Sequence, residues 1–572
     1  PSEALAKSMP IIGVRGELQT PWTEGMNFRN LEDNGFIKFD FLGLTLLKDV
    51  ENCIRRVLTR ETGKEPTFIE IRDWFDKHLN CRYVDQDDPK VWQHVYHQRR
   101  KVGVFQFTAE GARRFCEDAK PTAIIELAAL TAIYRPGPLR ANVHKKYVKD
   151  KQRADEIEYA HPIIKEILGP TFGHVTFQEQ FMLLAQKLGG FTPAESDKLR
   201  KTLVKKSLDT IGKKGDEREA ARQKFVKGAK EINGVPESVS QELWERIEFF
   251  SVYGFNKSHA VAYAIGSYYA AWLHTYYETD WLATILESEN NNPKNLSKAI
   301  SEIKAMGYDI STHDVNESGL YWNWSENKSA FIPPLTSIKG LGKNAVAEIM
   351  SNRPYTTLDQ MLYTEEGKWY HSKLNKTGFA ALCKVEALDA LEEMWGGSIE
   401  NHRQLHNIII DNYEILKKSC WGMTMRKAKK ENAPKILPIL MEETAGTTDW
   451  TRVEKLQMYQ DMCSATRDDL AFPEELIEKI KNSNVKSVLK FDPGEKGVGW
   501  FCVVEWIKKL TKNKKVFYRV KITDDESNTG WLRIWGNIPD EMQPYTIWLT
   551  QTTNDKNWGA STSAAKIRPL VV

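Results

Sequence analysis

The chain has 572 residues, more than one hydrophobic core normally organises, since domains usually contain about 100–200 residues. Hydrophobic residues make up 41% and charged residues 27%, with 18 Trp and 23 Phe, which excludes a mostly disordered chain. The formal net charge is only +3, so the distribution of charge has to show whether nucleic acid is a partner. No apolar run is long enough to span a bilayer, and we expect no membrane partner.

Seven cysteines are scattered without a CxxC pair, which is typical of reduced thiols in the cytoplasm rather than of a disulfide framework. The first residue is Pro rather than Met. We therefore expect a fragment, a processed product, or a piece that is joined to something upstream.

Residues 36–44 (FIKFDFLGL) are predicted to form a strand that ends at Gly43. Side chains alternate between the two faces of a strand, so Lys38 and Asp40 share one face and the apolar residues share the other. Taken by themselves, these two charges favour a simple salt bridge.

From residue 45 to about 285 the pattern is mostly helical, and three segments with Gly, Pro and basic residues interrupt it. The predicted helices include 46–58, 123–133, 178–188 and 261–276, and the interruptions are RPGP at 135–138, residues 201–214, and YGFNKSH at 253–259. Residues 198–230 hold twelve Lys or Arg against four Asp or Glu, and a second basic cluster lies at 140–153, after the RPGP segment. Such patches attract phosphate, although a solvated basic helix explains the charge equally well.

A polar Asn-Asn-Asn-Pro stretch at 290–293 indicates a boundary, after which IKGLGK at 338–343 precedes a predicted helix. This pattern matches the turn of a helix-hairpin-helix, whose glycines let backbone N–H groups approach a phosphate oxygen. The predicted phosphate-binding turn comprises Lys339, Gly340, Gly342 and Lys343. A tight turn between two helices with no ligand is the alternative.

The last block, with predicted strands at 499–504, 516–522 and 531–535, is typical of a small antiparallel barrel. Lysines lie beside its aromatic residues, a combination that suits base stacking and backbone neutralisation. The aromatic residues are Trp500, Trp506, Phe517, Tyr518, Trp531 and Trp535. For a barrel this small we expect most of them to be core.

In this order, the segments resemble those of the bacterial replicative polymerase family, the DNA polymerase III alpha subunits (family C). The resemblance is carried by KFDFLGL at 38–44, GVFQF at 103–107, RPGP at 135–138, QEQ at 178–180, GGF at 189–191, GFNKSH at 254–259, DVN at 314–316 and the turn at 340. It is strong over about 36–391 and weaker over 450–572, where the family has an oligonucleotide-binding (OB) fold.

The resemblance implies a multidomain α+β protein with the end of a β palm, large and mostly helical fingers, a helix-hairpin-helix domain and a C-terminal OB-type β-barrel. The expected domains are 1–47 (end of the palm), 48–290 (fingers), 291–400 (end of the fingers and helix-hairpin-helix), 401–485 (helical connector) and 486–572 (barrel). We expect the family's N-terminal metal-binding (PHP) domain, its thumb and the upstream half of its palm to be missing from this sequence.

The family's palm has two further aspartates in a D-x-D strand upstream of the motif at Asp40, and the 39 preceding residues show no such pattern. Asp85 and Asp87 form the nearest D-x-D, in a polar segment that we interpret as the start of a helix. One carboxylate cannot hold the two Mg²⁺ ions that the family uses. We therefore expect an upstream palm-containing piece to complete the site, unless the chain is a fragment of one long gene.

The resemblance implies transfer of a nucleotidyl group from a dNTP to a primer 3′-hydroxyl, with primer-template DNA and dNTPs as partners. It makes Asp40 a metal ligand and, with Lys38, a catalytic residue. The expected phosphate-binding residues, for nucleotide or DNA, are Arg135, Arg200, Lys201, Lys205, Lys206, Lys257, Ser258 and His259. A catalytically inactive DNA-binding or scaffold relative is the alternative function.

Three further expectations follow from the resemblance. A sliding clamp is an expected partner by analogy alone, because no convincing clamp-binding peptide is present. No carboxylate set of a 3′–5′ exonuclease is visible in the sequence. The expected location is the cytoplasm of a bacterium or of a phage-infected bacterial cell.

Overall fold

The computed structural model describes residues 5–14, 16–23, 29–36, 43–98, 100–204, 213–251, 254–364, 367–395, 398–419, 436–463, 467–472, 474–482, 485–511, 514–525, 529–555 and 559–570. The chain divides into two compact units, Pro1–Lys48 and Asp49–Val572.

The first unit contains a small antiparallel hairpin. Its strands β1 (Ile12–Val14) and β2 (Glu17–Gln19) pair with Ile12 opposite Gln19, and Gly16 between them has a φ of +87°. The helical turns of this unit are Leu5–Lys7, Pro21–Thr23 and Arg29–Asp33. The strand predicted over 36–44, including Lys38 and Asp40, lies outside the described residues except for its ends.

Most of the second unit up to residue 288 is helical. Its helices and helical turns are Thr45–Thr62 (which begins in the first unit), Phe68–His78, Pro89–Val91, Trp92–Tyr96 (a π-helical turn), Glu110–Ala119, Ile124–Ile133, Pro136–Arg140, Val143–Gln152, Ala154–Glu156, Pro162–Leu168, Gly169–Thr171, Gln178–Lys187, Pro193–Val204, Lys213–Asn233, Glu237–Ser251, Lys257–Tyr276 and Glu278–Ser288.

These helices enclose two hydrophobic clusters. In the first, helix Lys257–Tyr276 packs on helix Ile124–Ile133, and buried alanines such as Ala264 and Ala271 let the two helices approach closely. The second cluster surrounds Trp244 within the helices between 162 and 251. A parallel β-bridge between Phe177 and Phe255 lies where the two clusters meet.

The predicted helices at 46–58, 123–133, 178–188 and 261–276 are confirmed, with boundaries that shift by a few residues. Two of the predicted interruptions are partly wrong. The RPGP segment begins helix Pro136–Arg140, because proline at the first helical position has no N–H to lose. Residues 257–259 form the first turn of a helix, because the Asn256 side chain caps it.

A three-stranded sheet follows, with β5 (Ala330–Ile332) between β3 (Asp309–Ile310) and β4 (Asn323–Ser325). The helical elements from 293 to 482 are Pro293–Ala305, Leu335–Ser337, Lys343–Met350, Leu358–Leu362, Lys376–Lys384, Glu392–Trp395, His402–Asp411, Tyr413–Ser419, Ile436–Glu443, Arg452–Cys463, Asp468–Ala471 and Glu474–Asn482. One hydrophobic cluster runs through residues 315–463.

The C-terminal strands form the predicted barrel. They are β6 (Lys496–Leu510), β7 (Val516–Thr523), β8 (Thr529–Trp535), β9 (Ile547–Asp555), β10 (Gly559–Ser563) and β11 (Ile567–Pro569), with helical turns at Val488–Lys490 and Ala564–Lys566. The sheet order is β10-β8-β7-β6-β9-β11, and a further β10–β9 pairing closes five strands into a barrel. Phe501, Val520 and Leu532 are among the residues that fill its interior.

The mixed α+β architecture, with a C-terminal barrel consistent with an OB-type fold, is thus confirmed. The six cysteines within the described residues are free thiols. No helix in the part of the chain that the structure describes is both long and apolar enough to cross a bilayer.

Candidate nucleotide and nucleic-acid interface

The predicted site residues fall into three groups in the structure. Lys38, Asp40, Lys205 and Lys206 lie outside the described residues. The others lie in the helical region between 48 and 290 (Arg135, Arg200, Lys201, Lys257, Ser258 and His259) or in the turn at 339–343.

The GFNKSH loop is held in place by backbone pairing with the start of another helix. The N–H of Gln178 donates to the carbonyl of Phe255 at 2.9 Å, and the N–H of Phe255 donates to the carbonyl of Thr176 at 3.3 Å. These bonds resemble one rung of a parallel sheet, and they set the position at which helix Lys257–Tyr276 begins.

The first turn of this helix presents Lys257, Ser258 and His259 as exposed side chains. The Asn256 side-chain oxygen caps the turn, accepting from the His259 N–H at 2.8 Å and from the Ser258 hydroxyl at 2.7 Å. The carboxylate of Glu179 accepts from the Lys257 N–H at 2.9 Å and from the Asn256 amide at 3.1 Å. An anion therefore already lies at this helix N-terminus, where helix dipole and free N–H groups favour negative charge.

Arg135 joins the RPGP segment to this loop. Its guanidinium lies over the ring of Phe255, 4.5 Å from the ring centroid, and its Nε donates to the carbonyl of Ala132 at 2.7 Å. Burial lowers the pKa of Arg135, but a guanidinium remains charged at neutral pH. Two motifs that are far apart in the sequence thus bring a cation and a basic helix N-terminus close to one aromatic ring.

A row of partly exposed rings continues from this point. The ring of His259 lies 4.3 Å from that of Tyr263 and 5.4 Å from that of Phe255, and Phe105 lies 5.2 Å from Tyr263. Such rings are suited to stacking against a base or a sugar. Phe105, Glu179 and Tyr263 are not among the site residues predicted from the sequence. The i, i+4 spacing of His259 and Tyr263 on a predicted helix could have identified Tyr263 as a neighbour of His259.

Arg200 and Lys201 lie near the end of helix Pro193–Val204, where both contact the carboxylate of Asp197 at 2.9 and 2.8 Å. The hydrogen bonds from Lys201 and Arg200 lower the pKa of Asp197. These are exposed i, i+3 and i, i+4 pairs of little energetic value, so a phosphate could displace the carboxylate without a large cost.

The turn at 339–343 exposes Lys339, Gly340, Gly342 and Lys343 and buries Leu341. Gly340 has a φ of +101°, a conformation that other residues rarely adopt, and a Cβ there would lie 3.4 Å from the Thr377 side chain. Gly342 caps helix Lys343–Met350. The initial N–H groups of a helix have no partners within it, so this turn can offer donors to a phosphate.

One outer face of the barrel combines cations with exposed rings. On β7 and β8, Phe517 is opposite Trp535, Arg519 is opposite Arg533, and Lys521 is opposite Trp531. Arg519 lies over the ring of Trp531 at 4.3 Å. Trp531 and Trp535 are both 38% exposed, whereas Trp500 is buried and Trp506 and Tyr518 pack against the core. The expectation that most of the barrel aromatics are core is therefore only half right, since the register places three of the six on the outer face.

The D-x-D pair in the fingers takes part in a turn. The N–H of Asp87 donates to the Asp85 carboxylate at 3.0 Å, and the Asp88 carboxylate caps helix Pro89–Val91 by accepting from the Lys90 N–H at 2.9 Å. The interpretation of this segment as the start of a helix is confirmed.

Two clusters within the described residues bring His and carboxylate ligand atoms close enough for a metal ion: His94, His274 and Glu278, and Glu386, Asp389 and His402. In the second cluster Glu386 forms ion pairs with Lys455 and Arg467, so its charge is already compensated. Mg²⁺ prefers ligand sets made of oxygen atoms, and neither cluster fits it. Asp40, the predicted ligand, is not among the described residues.

Comparisons with known proteins match two parts of this chain. A family model described as the finger domain of the bacterial DNA polymerase III alpha subunit matches residues 62–233, which include Arg135, Arg200 and Lys201. A model of the helix-hairpin-helix motif matches residues 307–394, which include the turn at 339–343.

Curated relatives match a longer stretch. The DNA polymerase III subunit alpha of Aquifex aeolicus is 34% identical over 360 residues, 63% of this chain and 29% of the relative. That of Borreliella burgdorferi is 32% identical over 405 residues, 70% of this chain and 32% of the relative. That of Vibrio cholerae is 30% identical over 369 residues, 63% of this chain and 30% of the relative.

The chain thus spans about three tenths of the length of these relatives. The fold agrees with the two matched regions, since 62–233 is helical and the turn at 340 precedes a helix. Over its finger-domain match and its helix-hairpin-helix region, the chain is similar to the bacterial DNA polymerase III alpha subunits.

Proposed function

We propose that this chain provides the fingers, the helix-hairpin-helix region and the barrel of a replicative DNA polymerase that transfers nucleotides from dNTPs to a primer 3′-hydroxyl. The observation that carries the proposal is the cluster at the start of helix Lys257–Tyr276. There Arg135 lies over Phe255, next to the exposed side chains of Lys257, Ser258 and His259.

This cluster is proposed as the site for the triphosphate of the incoming nucleotide. Lysine acts as a point charge towards phosphate and arginine as a fork of donors, so Lys257 and Arg135 can hold different oxygens. The rings of His259, Tyr263 and Phe105 supply a surface for the base or the sugar. Glu179 would then orient the loop through Asn256 and the Lys257 N–H.

The proposed cofactor is Mg²⁺, with Asp40 as a ligand and Lys38 as a second catalytic residue. A two-metal site stabilises the attacking and leaving oxygens of the transferred phosphoryl group, and it needs more carboxylates than Asp40 alone. We propose that residues outside this 572-residue sequence supply them, on the same polypeptide or on a separate upstream palm piece.

The other surfaces are proposed to hold primer-template DNA. The turn at Lys339–Lys343 would bind backbone phosphates, and the outer barrel face around Trp531 and Trp535 would stack on single-stranded bases. Arg200 and Lys201, together with Lys205 and Lys206, would contact phosphates of the DNA or of the nucleotide. A sliding clamp as partner, and the bacterial or phage-infected cytoplasm as location, are further proposals.

The triphosphate site is tested by replacing Lys257 with Ala in the complete polymerase and measuring primer extension at a series of dNTP concentrations. Loss of a direct phosphate contact should raise KM for dNTP by about tenfold or more, while the Kd for primer-template is unchanged. Lys294→Ala is the matched control, because Lys294 is also an exposed lysine in the first turn of an Asn-capped helix.

The opposite effect on KM and Kd would assign Lys257 a different ligand. A raised Kd for primer-template with an unchanged KM for dNTP would mean that Lys257 holds the DNA backbone and not the triphosphate.

The catalytic role of this chain is tested by Asp40→Ala in the same assembly. Synthesis should be abolished, because a carboxylate that ligates a catalytic metal cannot be replaced by a methyl group, while duplex binding stays near the wild-type level. Asp87→Ala, which alters only a turn, should retain both synthesis and binding. Synthesis at the wild-type rate by Asp40→Ala would show that Asp40 is not a metal ligand.

DNA binding without any primer extension by the wild-type assembly would favour the alternative function, a non-catalytic DNA-binding protein.

A further inference from the structure

A cluster of two histidines and a glutamate lies at the corner between two helices of the fingers. His274 is in the last turn of helix Lys257–Tyr276, and Glu278 begins helix Glu278–Ser288. His94 reaches the same point from the π-helical turn Trp92–Tyr96. Such turns are rare and occur often at functional sites.

The distances in this cluster match those of a tetrahedral metal site. Glu278 Oε1 lies 3.4 Å from His94 Nε2 and 3.5 Å from His274 Nδ1, and all three atoms lie within 4.8 Å of one another. Bonds of about 2.0–2.1 Å from a tetrahedral Zn²⁺ place neighbouring ligand atoms about 3.4 Å apart. Two of the three edges of the cluster therefore already have the length that a zinc ion would impose.

The histidine nitrogens in the cluster lack other partners. The side chain of His274 is fully buried, and among the described residues neither of its ring nitrogens forms a hydrogen bond, nor does Nε2 of His94. Buried polar atoms without a partner are uncommon in folded proteins, and each calls for an explanation.

Two donors orient the carboxylate. The Arg100 guanidinium donates to Glu278 Oε1 at 2.8 Å, and the Tyr308 hydroxyl donates to Oε2 at 2.8 Å. Hydrogen bonds of this kind commonly fix a ligating carboxylate in place. Two imidazole nitrogens beside one carboxylate oxygen favour a metal that binds imidazole strongly over Mg²⁺ or Ca²⁺, which prefer oxygen ligands. His94 and Glu278 are partly exposed, which gives an ion a route from solvent.

We propose that His94 Nε2, His274 Nδ1 and Glu278 Oε1 bind one divalent transition-metal ion of the Zn²⁺ type. The ion ties the turn Trp92–Tyr96 to the corner between the helices Lys257–Tyr276 and Glu278–Ser288. It is separate from the Mg²⁺ of the proposed reaction, and its role is to stabilise the fingers, since the helix that presents Lys257 and His259 ends at this corner.

The test uses the purified full chain, freed of metal with a chelator and titrated with Zn²⁺ in a calorimeter. Co²⁺ serves as a second probe, because its visible absorption reports tetrahedral coordination by nitrogen and oxygen. The wild-type chain should bind one equivalent of Zn²⁺ and melt at a higher temperature with the ion than with chelator. His94→Gln and Glu278→Gln should each weaken Zn²⁺ binding by at least about 100-fold.

The matched control is His402→Gln, which disrupts the other His–carboxylate cluster within the described residues and should leave Zn²⁺ binding intact. The proposal is overturned if the wild-type chain binds no Zn²⁺, if both glutamine variants bind it as the wild type does, or if only His402→Gln loses it. The wild-type titration needs no variant, so misfolding of a mutant cannot obscure the result.

Discussion

Arg135 shows how one residue can have both a structural and a chemical role. Its guanidinium lies on the ring of Phe255 and its Nε donates to the Ala132 carbonyl, so part of the side chain supports the loop that precedes helix Lys257–Tyr276. The ring thereby fixes the plane and the direction of the guanidinium. A lysine would keep the charge and lose the planar stacking.

We predict that Arg135→Lys and Phe255→Leu are coupled. The coupling free energy of unfolding from a double-mutant cycle should be about 1 kcal/mol, because Arg135→Lys removes the planar guanidinium and Phe255→Leu removes the ring on which it stacks. Urea unfolding of the wild type, the two single variants and the double variant measures it. In a control cycle, the exposed Arg140→Lys combined with Phe255→Leu should be additive. Additivity in the Arg135 cycle would show that the contact does not stabilise the loop.

The helix-hairpin-helix region shows how a single side chain orients a neighbouring element. Glu348, on the helix that follows the glycine turn, accepts N–H bonds from Ser372, Lys373 and Leu374 at 2.8–3.0 Å, just before helix Lys376–Lys384. Burial alone would raise the pKa of Glu348, but these donors outweigh burial and lower the pKa to about 2. The carboxylate thus holds the segment that leads into helix Lys376–Lys384, whose Thr377 lies next to Gly340.

We predict that Glu348→Gln lowers the free energy of unfolding by about 2–3 kcal/mol at neutral pH, because a neutral amide accepts these bonds more weakly. A carboxyl whose pKa is depressed on folding stabilises the fold above its unfolded pKa, and loses that contribution as pH falls towards the folded value. The difference between variant and wild type should therefore shrink from about pH 4.5 to about pH 2. Urea unfolding at several pH values measures it, with the exposed Glu442→Gln as control. A difference that does not change with pH would contradict the assignment.

At the scale of the whole second unit, helix Arg452–Cys463 connects the glycine turn to the barrel. Leu456 belongs to a hydrophobic cluster with Trp500 of β6, whereas Tyr459 and Cys463 belong to the core of the helix-hairpin-helix region. The N–H of Lys339 donates to the carbonyl of Met462 at 2.9 Å. One helix thus packs against both regions that carry the proposed DNA-binding surfaces.

Because several basic surfaces would contact one DNA, we predict that primer-template binding weakens steeply with salt. Six or more neutralised phosphates correspond to a loss of affinity of about 1,000-fold between about 50 and 200 mM salt. Fluorescence anisotropy with labelled primer-template measures the slope. A slope near zero would exclude a role for the basic surfaces in holding DNA.

The sequence by itself determined the elements and their order. Some features depend only on residues that are close in the chain, so they can be recognised without knowledge of the fold. These are the helical periodicity, the RPGP and GFNKSH segments, the glycine turn and the alternating strands of the barrel. The aspartate and lysine motif at 38–40 also comes from the sequence alone, and its role stays a prediction.

The tertiary structure decided which of these residues meet. The contact of Arg135 with Phe255, the ring row from Phe105 to His259, and the cluster of His94, His274 and Glu278 join residues that are distant in the sequence. The outer barrel face also depends on the tertiary structure, because the register of β7 and β8 determines which aromatic rings lie outside the core. Side-chain partners across elements depend on packing and register, and local sequence patterns do not encode either of these directly.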